Sequence, residues 1–147
     1  MEICKEFKFE ASHVLAKHFG QCGRLHGHSW KLTVYVKGPV DQETGMVIDY
    51  ADIKKYVQPI IDQLDHRHLG VYKLDFEDEA LPFQVPYPWR VNWLPQKDWE
   101  PTSENFLIEI AKQIVKRGQV FSSLTLDETC TVSCLLTWEE FNQLGKQ

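Results

Sequence analysis

The stretch Cys22-Gly-Arg-Leu-His26-Gly-His28-Ser29-Trp30-Lys31-Leu32-Thr33-Val34-Tyr35-Val36-Lys37 decides how this chain folds. From His26 onward the even positions carry His26, His28, Trp30, Leu32, Val34 and Val36. Ser29, Lys31, Thr33, Tyr35 and Lys37 take the odd ones. That is the period-two pattern of a half-buried strand. Both imidazoles leave the strand on its apolar side, with side-chain-free Gly27 between them. Two residues of strand rise separate them by roughly 7 Å at Cα, so both rings can converge on one metal ion.

A third histidine fits the same picture. Glu2–Ser12 also alternates, with Ile3, Phe7, Phe9 and Ala11 set against Cys4, Glu6, Lys8 and Glu10, and with Lys5 interrupting the apolar side once. His13 falls on the Phe7/Phe9/Ala11 side. If strands 2–13 and 26–37 pair antiparallel, as their short connection allows, His13 lies beside His26 and His28. Three neutral imidazoles leave a fourth position open on zinc, the arrangement of a catalytic rather than a structural site. Taken singly, each histidine reads as an exposed or hydrogen-bonded side chain. The trio and the strand pairing together point to zinc.

Composition sets the bounds. A chain of 147 residues can bury one real core but not two, so a single domain over 1–147 is expected. No apolar run approaches the ~20 residues of a membrane span, and the N-terminus has no basic-then-apolar leader. Cys4, Cys22, Cys130 and Cys134 are scattered, which suits a reduced, cytoplasmic thiol protein better than a disulfide framework. A net charge of −5 argues against a nucleic-acid surface. An anionic small substrate would need a local cluster such as Lys17, His18 and Arg24.

Beyond residue 37, the turn-rich Gly38–Gly45 leads to Met46-Val47-Ile48 and a helix capped by Asp49 or Asp52. Ile53, Val57, Ile60, Ile61 and Leu64 give this helix one buried stripe, and Pro59 inside it removes a backbone donor or bends it. Asp65-His66 arrives at its end. A second helix begins near Pro101-Thr102-Ser103-Glu104, with Phe106, Leu107, Ile110, Ile114 and Val115 as its stripe. Strands over Val120–Glu128 and Thr131–Thr137 complete a β-β-α-α-β-β order: α+β, an antiparallel sheet with two helices on one face. Between the helices, Gly70–Glu100 gathers Pro82, Pro86, Pro88 and Pro95 with Trp89, Trp93 and Trp99. An aromatic-rich segment of this length reads as an ordered flap or a subunit contact.

Three further positions carry chemistry. Cys22 reads either as a fourth zinc ligand, which would close the site, or as a thiolate beside the cation, acidified into a competent base. Asp65-His66 is either a polar helix terminus or a carboxylate orienting an imidazole that shuttles protons. Glu128 follows Leu124 and Leu126 on the apolar side of its strand, where a carboxylate must be paired. It is either a strand-end charge or the partner of a guanidine-like edge, such as the amino-pyrimidine side of a pterin or guanine.

Phe9-Glu-Ala-Ser-His13, Cys22-Gly-Arg-Leu-His26-Gly-His28, Gly45-Met-Val-Ile-Asp49, Leu64-Asp65-His66, Pro101-Thr-Ser-Glu-Asn105 and Glu128-Thr129-Cys130 occur in the order found in one family. In these motifs the chain resembles the 6-pyruvoyltetrahydropterin synthase superfamily. Its Cys-x-x-x-His-Gly-His spacing is similar to that of the bacterial 6-carboxytetrahydropterin synthases of queuosine (7-deazapurine) biosynthesis. The resemblance implies a tunnelling fold, with sheets of three subunits closed into a barrel and two trimers stacked as a homohexamer. It implies zinc on His13, His26 and His28, Cys22 as base, and Asp65 and His66 as a relay reaching a neighbouring subunit's site. It implies Glu128 as the anchor of the pterin ring, with Thr102, Ser103 and Thr129 near that ring. The activity implied is zinc-dependent conversion of 7,8-dihydroneopterin triphosphate to 6-carboxytetrahydropterin, acetaldehyde and triphosphate. A pyruvoyl-type product is the sibling alternative, and a non-catalytic zinc-binding assembly protein is the alternative of another class. The chain departs from the family pattern in its longer Gly70–Glu100 segment and in Gly70, where Asn is frequent.

Overall fold

Period-two alternation at both ends of the N-terminal segment produces one long hairpin. In the computed structural model, which describes residues 1–70, 91, 93–95 and 99–145, β1 (Glu2–His13) and β2 (His26–Lys37) pair antiparallel throughout. The register sets Phe9 opposite Trp30, Ala11 opposite His28 and His13 opposite His26. Phe7, Phe9, Ala11 and His13 on β1 and Trp30, Leu32 and Val34 on β2 are buried on one face of the sheet. The other face is polar, with the Lys31 ammonium between Asp127 at 2.9 Å and Glu6 at 3.4 Å.

The helices that cover the apolar face form where the sequence supplies caps and stripes. Asp49 caps α1 (Tyr50–Leu64) by accepting from the Ala51 amide, a contact worth about 1 kcal/mol. The helix runs through Pro59 and buries Ile53, Val57, Ile60, Ile61 and Leu64. Thr102 caps α2 (Ser103–Lys116) by accepting from the Asn105 amide. This second helix buries Phe106, Leu107, Ile110, Ala111 and Ile114. Fully buried Trp30, Phe106, Leu124 and Leu126 anchor the core between the layers, at about 1.5–3 kcal/mol for each such aliphatic or Phe side chain.

Three features depart from the pattern expected of the sequence. A short β3 (Arg67–Leu69) pairs parallel with Ala11–His13, so the sheet is mixed rather than wholly antiparallel. Three residues are too few to print a period. β4 (Ser123–Thr129) starts three residues later than expected and pairs with β2 and with β5 (Val132–Thr137), giving the order β3-β1-β2-β4-β5. A third helix, α3 (Trp138–Leu144), follows directly. Its start is a capping box in which Thr137 and Glu140 exchange side-chain and backbone hydrogen bonds, a signature present in the sequence but overlooked. Within the Gly70–Glu100 stretch, Val91 and Leu94 are buried in the core and Trp93 and Trp99 pack against it. Residues 71–90, 92 and 96–98, and with them the flap or subunit contact expected there, lie outside the described residues. No helix among the described residues is long and apolar enough to cross a membrane.

Candidate metal centre

The hairpin register brings the three histidines together at its open end. Ring centroids of His13 and His26 are 4.5 Å apart, those of His26 and His28 4.9 Å, and those of His13 and His28 5.1 Å. Trp30, two residues beyond His28 on the same face, forms the floor. Its ring meets His13 and His28 edge to face at 5.3 and 5.4 Å, and its indole N–H donates to the Ala11 carbonyl at 3.1 Å.

Backbone carbonyls fix the ring nitrogens that face inward. His13 Nδ1 donates to the Pro101 carbonyl at 2.8 Å, and His26 Nδ1 donates to the Arg24 carbonyl at 2.7 Å. A carbonyl only accepts, so each neutral ring carries its proton on Nδ1 and presents a lone pair at Nε2. These two Nε2 atoms stand 3.0 Å apart. Two lone pairs at that distance repel unless a cation lies with them. Burial holds the pKa of His13 below the ordinary histidine value, with desolvation outweighing its carbonyl partner, and does the same for His28. The neutral state so favoured is the metal-ligating form.

Glu128 completes the cluster. It reaches the site from the end of β4, beside the irregularity between Asp127 and Thr129, and its Oε1 lies 3.1 Å from His28 Nε2 and 3.7 Å from His13 Nε2. Despite that proximity, His28 Nε2 is buried without a hydrogen-bond partner. Ser103, at the start of α2, donates its hydroxyl to Glu128 Oε2. Among the described residues His13, His26, His28 and Glu128 form a group whose donor atoms all lie within 4.8 Å of one another. Converging imidazole lone pairs and an orphaned ring nitrogen suit zinc, which takes three nitrogen donors and keeps a fourth tetrahedral position open, with the Glu128 carboxylate beside it.

The other predicted residues fall into two groups. Cys22 sits on the 3₁₀ turn Gln21–Gly23, partly buried and not in a disulfide, outside the cluster of His13, His26, His28 and Glu128. Thr102 serves as the α2 cap, and Thr129 is exposed at the β4–β5 turn, where its hydroxyl accepts from the Thr131 amide. Asp65 and His66 do not join the cluster. Asp65 ends α1, its Oδ1 accepting from the Glu10 amide at 2.8 Å and its Oδ2 lying 3.0 Å from His66 Nδ1. The Glu10 amide is the main cause holding the Asp65 carboxyl below the usual carboxylate range, so the carboxylate stays charged beside the imidazole. The His66 side chain is 79% exposed. Sequence reading placed Pro101 at a helix start and Arg24 in a cationic cluster, and missed that both act through their carbonyls, which all residues share. It also passed over buried His68, whose Nδ1 meets the Ser12 hydroxyl at 3.0 Å on the opposite face of β1 from His13.

Comparison with known proteins gives the family. The 6-pyruvoyl tetrahydropterin synthase family matches residues 2–139. The chain is 32% identical to a 6-carboxy-5,6,7,8-tetrahydropterin synthase of Haemophilus influenzae, over 94% of this chain and 92% of that one. It is 46% identical to a Synechocystis protein of the same name over 73 residues, 46% of this chain and 57% of that one. The structure of Caenorhabditis elegans 6-pyruvoyl tetrahydropterin synthase superposes with a TM-score of 0.70 at 24% identity, covering 93% of this chain and 94% of that one. The fold is therefore the tunnelling fold, and the chain belongs to the 6-pyruvoyl tetrahydropterin synthase family.

Proposed function

We propose that this protein is a zinc-dependent 6-carboxytetrahydropterin synthase that acts in the cytoplasm, in queuosine biosynthesis. The observation that carries the reading is the paired lock on His13 and His26. Two backbone carbonyls aim two lone pairs at one point, where His28 and Glu128 also converge. Full-length similarity to a carboxy-type relative favours that product over the pyruvoyl one.

The reaction consumes 7,8-dihydroneopterin triphosphate and one water, and releases 6-carboxytetrahydropterin, acetaldehyde and triphosphate. Zinc bound by His13, His26 and His28 would supply Lewis acidity, making protons on the substrate side chain easier to remove. Glu128 binds the amino-pyrimidine edge of the ring, its two oxygens accepting from two parallel N–H donors. Ser103 holds that carboxylate in place. Thr102 and Thr129 flank the ring. Cys22, free of the metal-binding cluster, takes a proton from the side chain. His66, oriented by Asp65, returns or accepts another. Each such acid or base contributes a factor of ~10²–10⁴.

The exposure of His66 favours a relay that completes the site of a neighbouring subunit. A second feature points the same way. β3 covers only Ala11–His13 of β1, so the earlier part of β1 forms an open edge among the described residues, as β5 does on the far side. Joining such edges between subunits removes them, which suits a trimeric barrel and a homohexamer of two trimers. Incubating the zinc-loaded protein with 7,8-dihydroneopterin triphosphate and weighing the products by mass spectrometry tests the assignment. We expect 6-carboxytetrahydropterin with acetaldehyde. A pyruvoyl product moves the protein to the sibling activity, and zinc retention without turnover overturns the enzymatic reading.

A further inference from the structure

Gly70 follows Leu69, the residue that pairs with His13 across the sheet, and its backbone has a φ of +94°. The space a side chain would fill is taken by the ring of Pro101. A Cβ at position 70 would stand 3.1 Å from Pro101 Cγ and 3.4 Å from Cδ. Pro101 is also the residue whose carbonyl meets His13 Nδ1 at 2.8 Å, in a buried contact. Its peptide is held from the helix side as well. Asn105 Nδ2 donates to the Glu100 carbonyl at 3.0 Å, and Thr102 caps α2.

We infer that in this chain Gly70, which stands where Asn is frequent in the family, is a positioning residue for the metal centre, because its bare backbone lets the Pro101 ring lie where the Pro101 carbonyl can fix which nitrogen of His13 faces the site. The inference rests on the metal reading of the histidine trio. Its physical basis is that a proline ring closes onto its own backbone and cannot rotate aside as a free side chain would. A Cβ at 3.1 Å makes the ring give by a few tenths of an ångström, shared between its pucker and the peptide it is fused to, and a 2.8 Å N–H···O bond weakens as it lengthens and tilts. Partners that orient a metal-ligating histidine are typically worth 10–100-fold in metal affinity. A displacement of a few tenths of an ångström belongs near the lower end, at about tenfold.

A second glycine separates this effect from backbone strain. Gly118, just past α2, has a φ of +83°, but a Cβ there meets nothing within 4 Å. Gly70→Ala and Gly118→Ala thus share the strain of a left-handed backbone, and only the first crowds Pro101. The test measures zinc affinity of the full chain by chelator competition, the melting temperature of the metal-free protein, and the ring ¹⁵N shifts of His13. Both variants should melt lower than wild type. Only Gly70→Ala should bind zinc about tenfold more weakly and lose the pure Nδ1–H tautomer of His13. Gly70→Ala/Pro101→Ala, with the ring removed, should bind zinc more tightly than Gly70→Ala alone. Equal zinc affinity in the two single variants with an unchanged His13 tautomer overturns the inference. Should Gly70→Ala not fold, a folded, zinc-binding double variant supports the contact and an unfolded one overturns it. A wild-type protein that binds no zinc defeats the metal reading instead, and the tautomer of the metal-free variants still decides the role of Gly70.

Discussion

The hairpin end that carries His13, His26 and His28 and the helix end that carries Asp65 and His66 solve opposite problems. At the hairpin, two ring nitrogens are committed to backbone carbonyls, Trp30 supports the rings from below, and His13 is wholly buried. For the proposed zinc site, these groups are already in place. At the helix end a single carboxylate orients His66, whose side chain otherwise faces solvent. His66 also has a φ of +57°, an unusual conformation for a residue with a side chain, and its amide donates to the Glu10 carbonyl at 2.6 Å. That backbone is held tightly while the imidazole stays in solvent. Under the proposed function, the contrast teaches that the hairpin end is a preorganised metal site and that the helix end is completed by a neighbouring subunit.

The largest effect should come from breaking the hairpin end. His13→Ala removes the most buried ligand, so zinc should be lost on dialysis. Several kcal/mol of charge stabilisation go with it, about three orders of magnitude in turnover, as metal analysis and product assay would register. Cys22→Ala should behave differently, keeping its zinc while turnover falls ~10²–10⁴-fold. Loss of metal from that variant would instead make the thiol a ligand.

The reading of the helix end is sharpened by mixing. His66→Ala should lower turnover ~10²-fold or more without changing zinc content. When it is unfolded and reassembled together with Cys22→Ala, activity should reappear, because some sites then receive Cys22 from one subunit and His66 from another. No recovery in the mixture would place both residues in one chain's site.

The smallest effect is on acid stability without metal. His13 and His28 have lowered pKa values in the folded protein, so below the ordinary value of 6.5 the unfolded chain takes up protons first. Stability should therefore be level above about pH 7 and decline as the pH falls through 6.5 and below. Thermal melts of the metal-free protein would show this as a fall of roughly 2–4 °C for each kcal/mol lost.

The two regions also differ in how far they could be read from the sequence. The trio was legible because a strand's alternation is strict, and the bounds of β1 and β2 and their pairing follow from it. Glu128 stood out as a carboxylate on an apolar face, although nothing in its neighbours indicated that Ser103 would hold it. The carbonyls of Pro101 and Arg24 could not be read, since every residue has one and only the fold selects which is used. The same limit hid β3, whose three residues matter by what they pair with. Asp65-His66 could be located at its helix end, but its open exposure, the feature that gives it meaning, is a property of the folded surface.

X-ray absorption at the zinc edge of the loaded protein tests the central claim most directly. The account predicts nitrogen and oxygen neighbours at about 2.0–2.1 Å with an imidazole scattering pattern from three histidines and no sulfur. A sulfur neighbour at about 2.3 Å would contradict it, closing the site with Cys22 and removing the base.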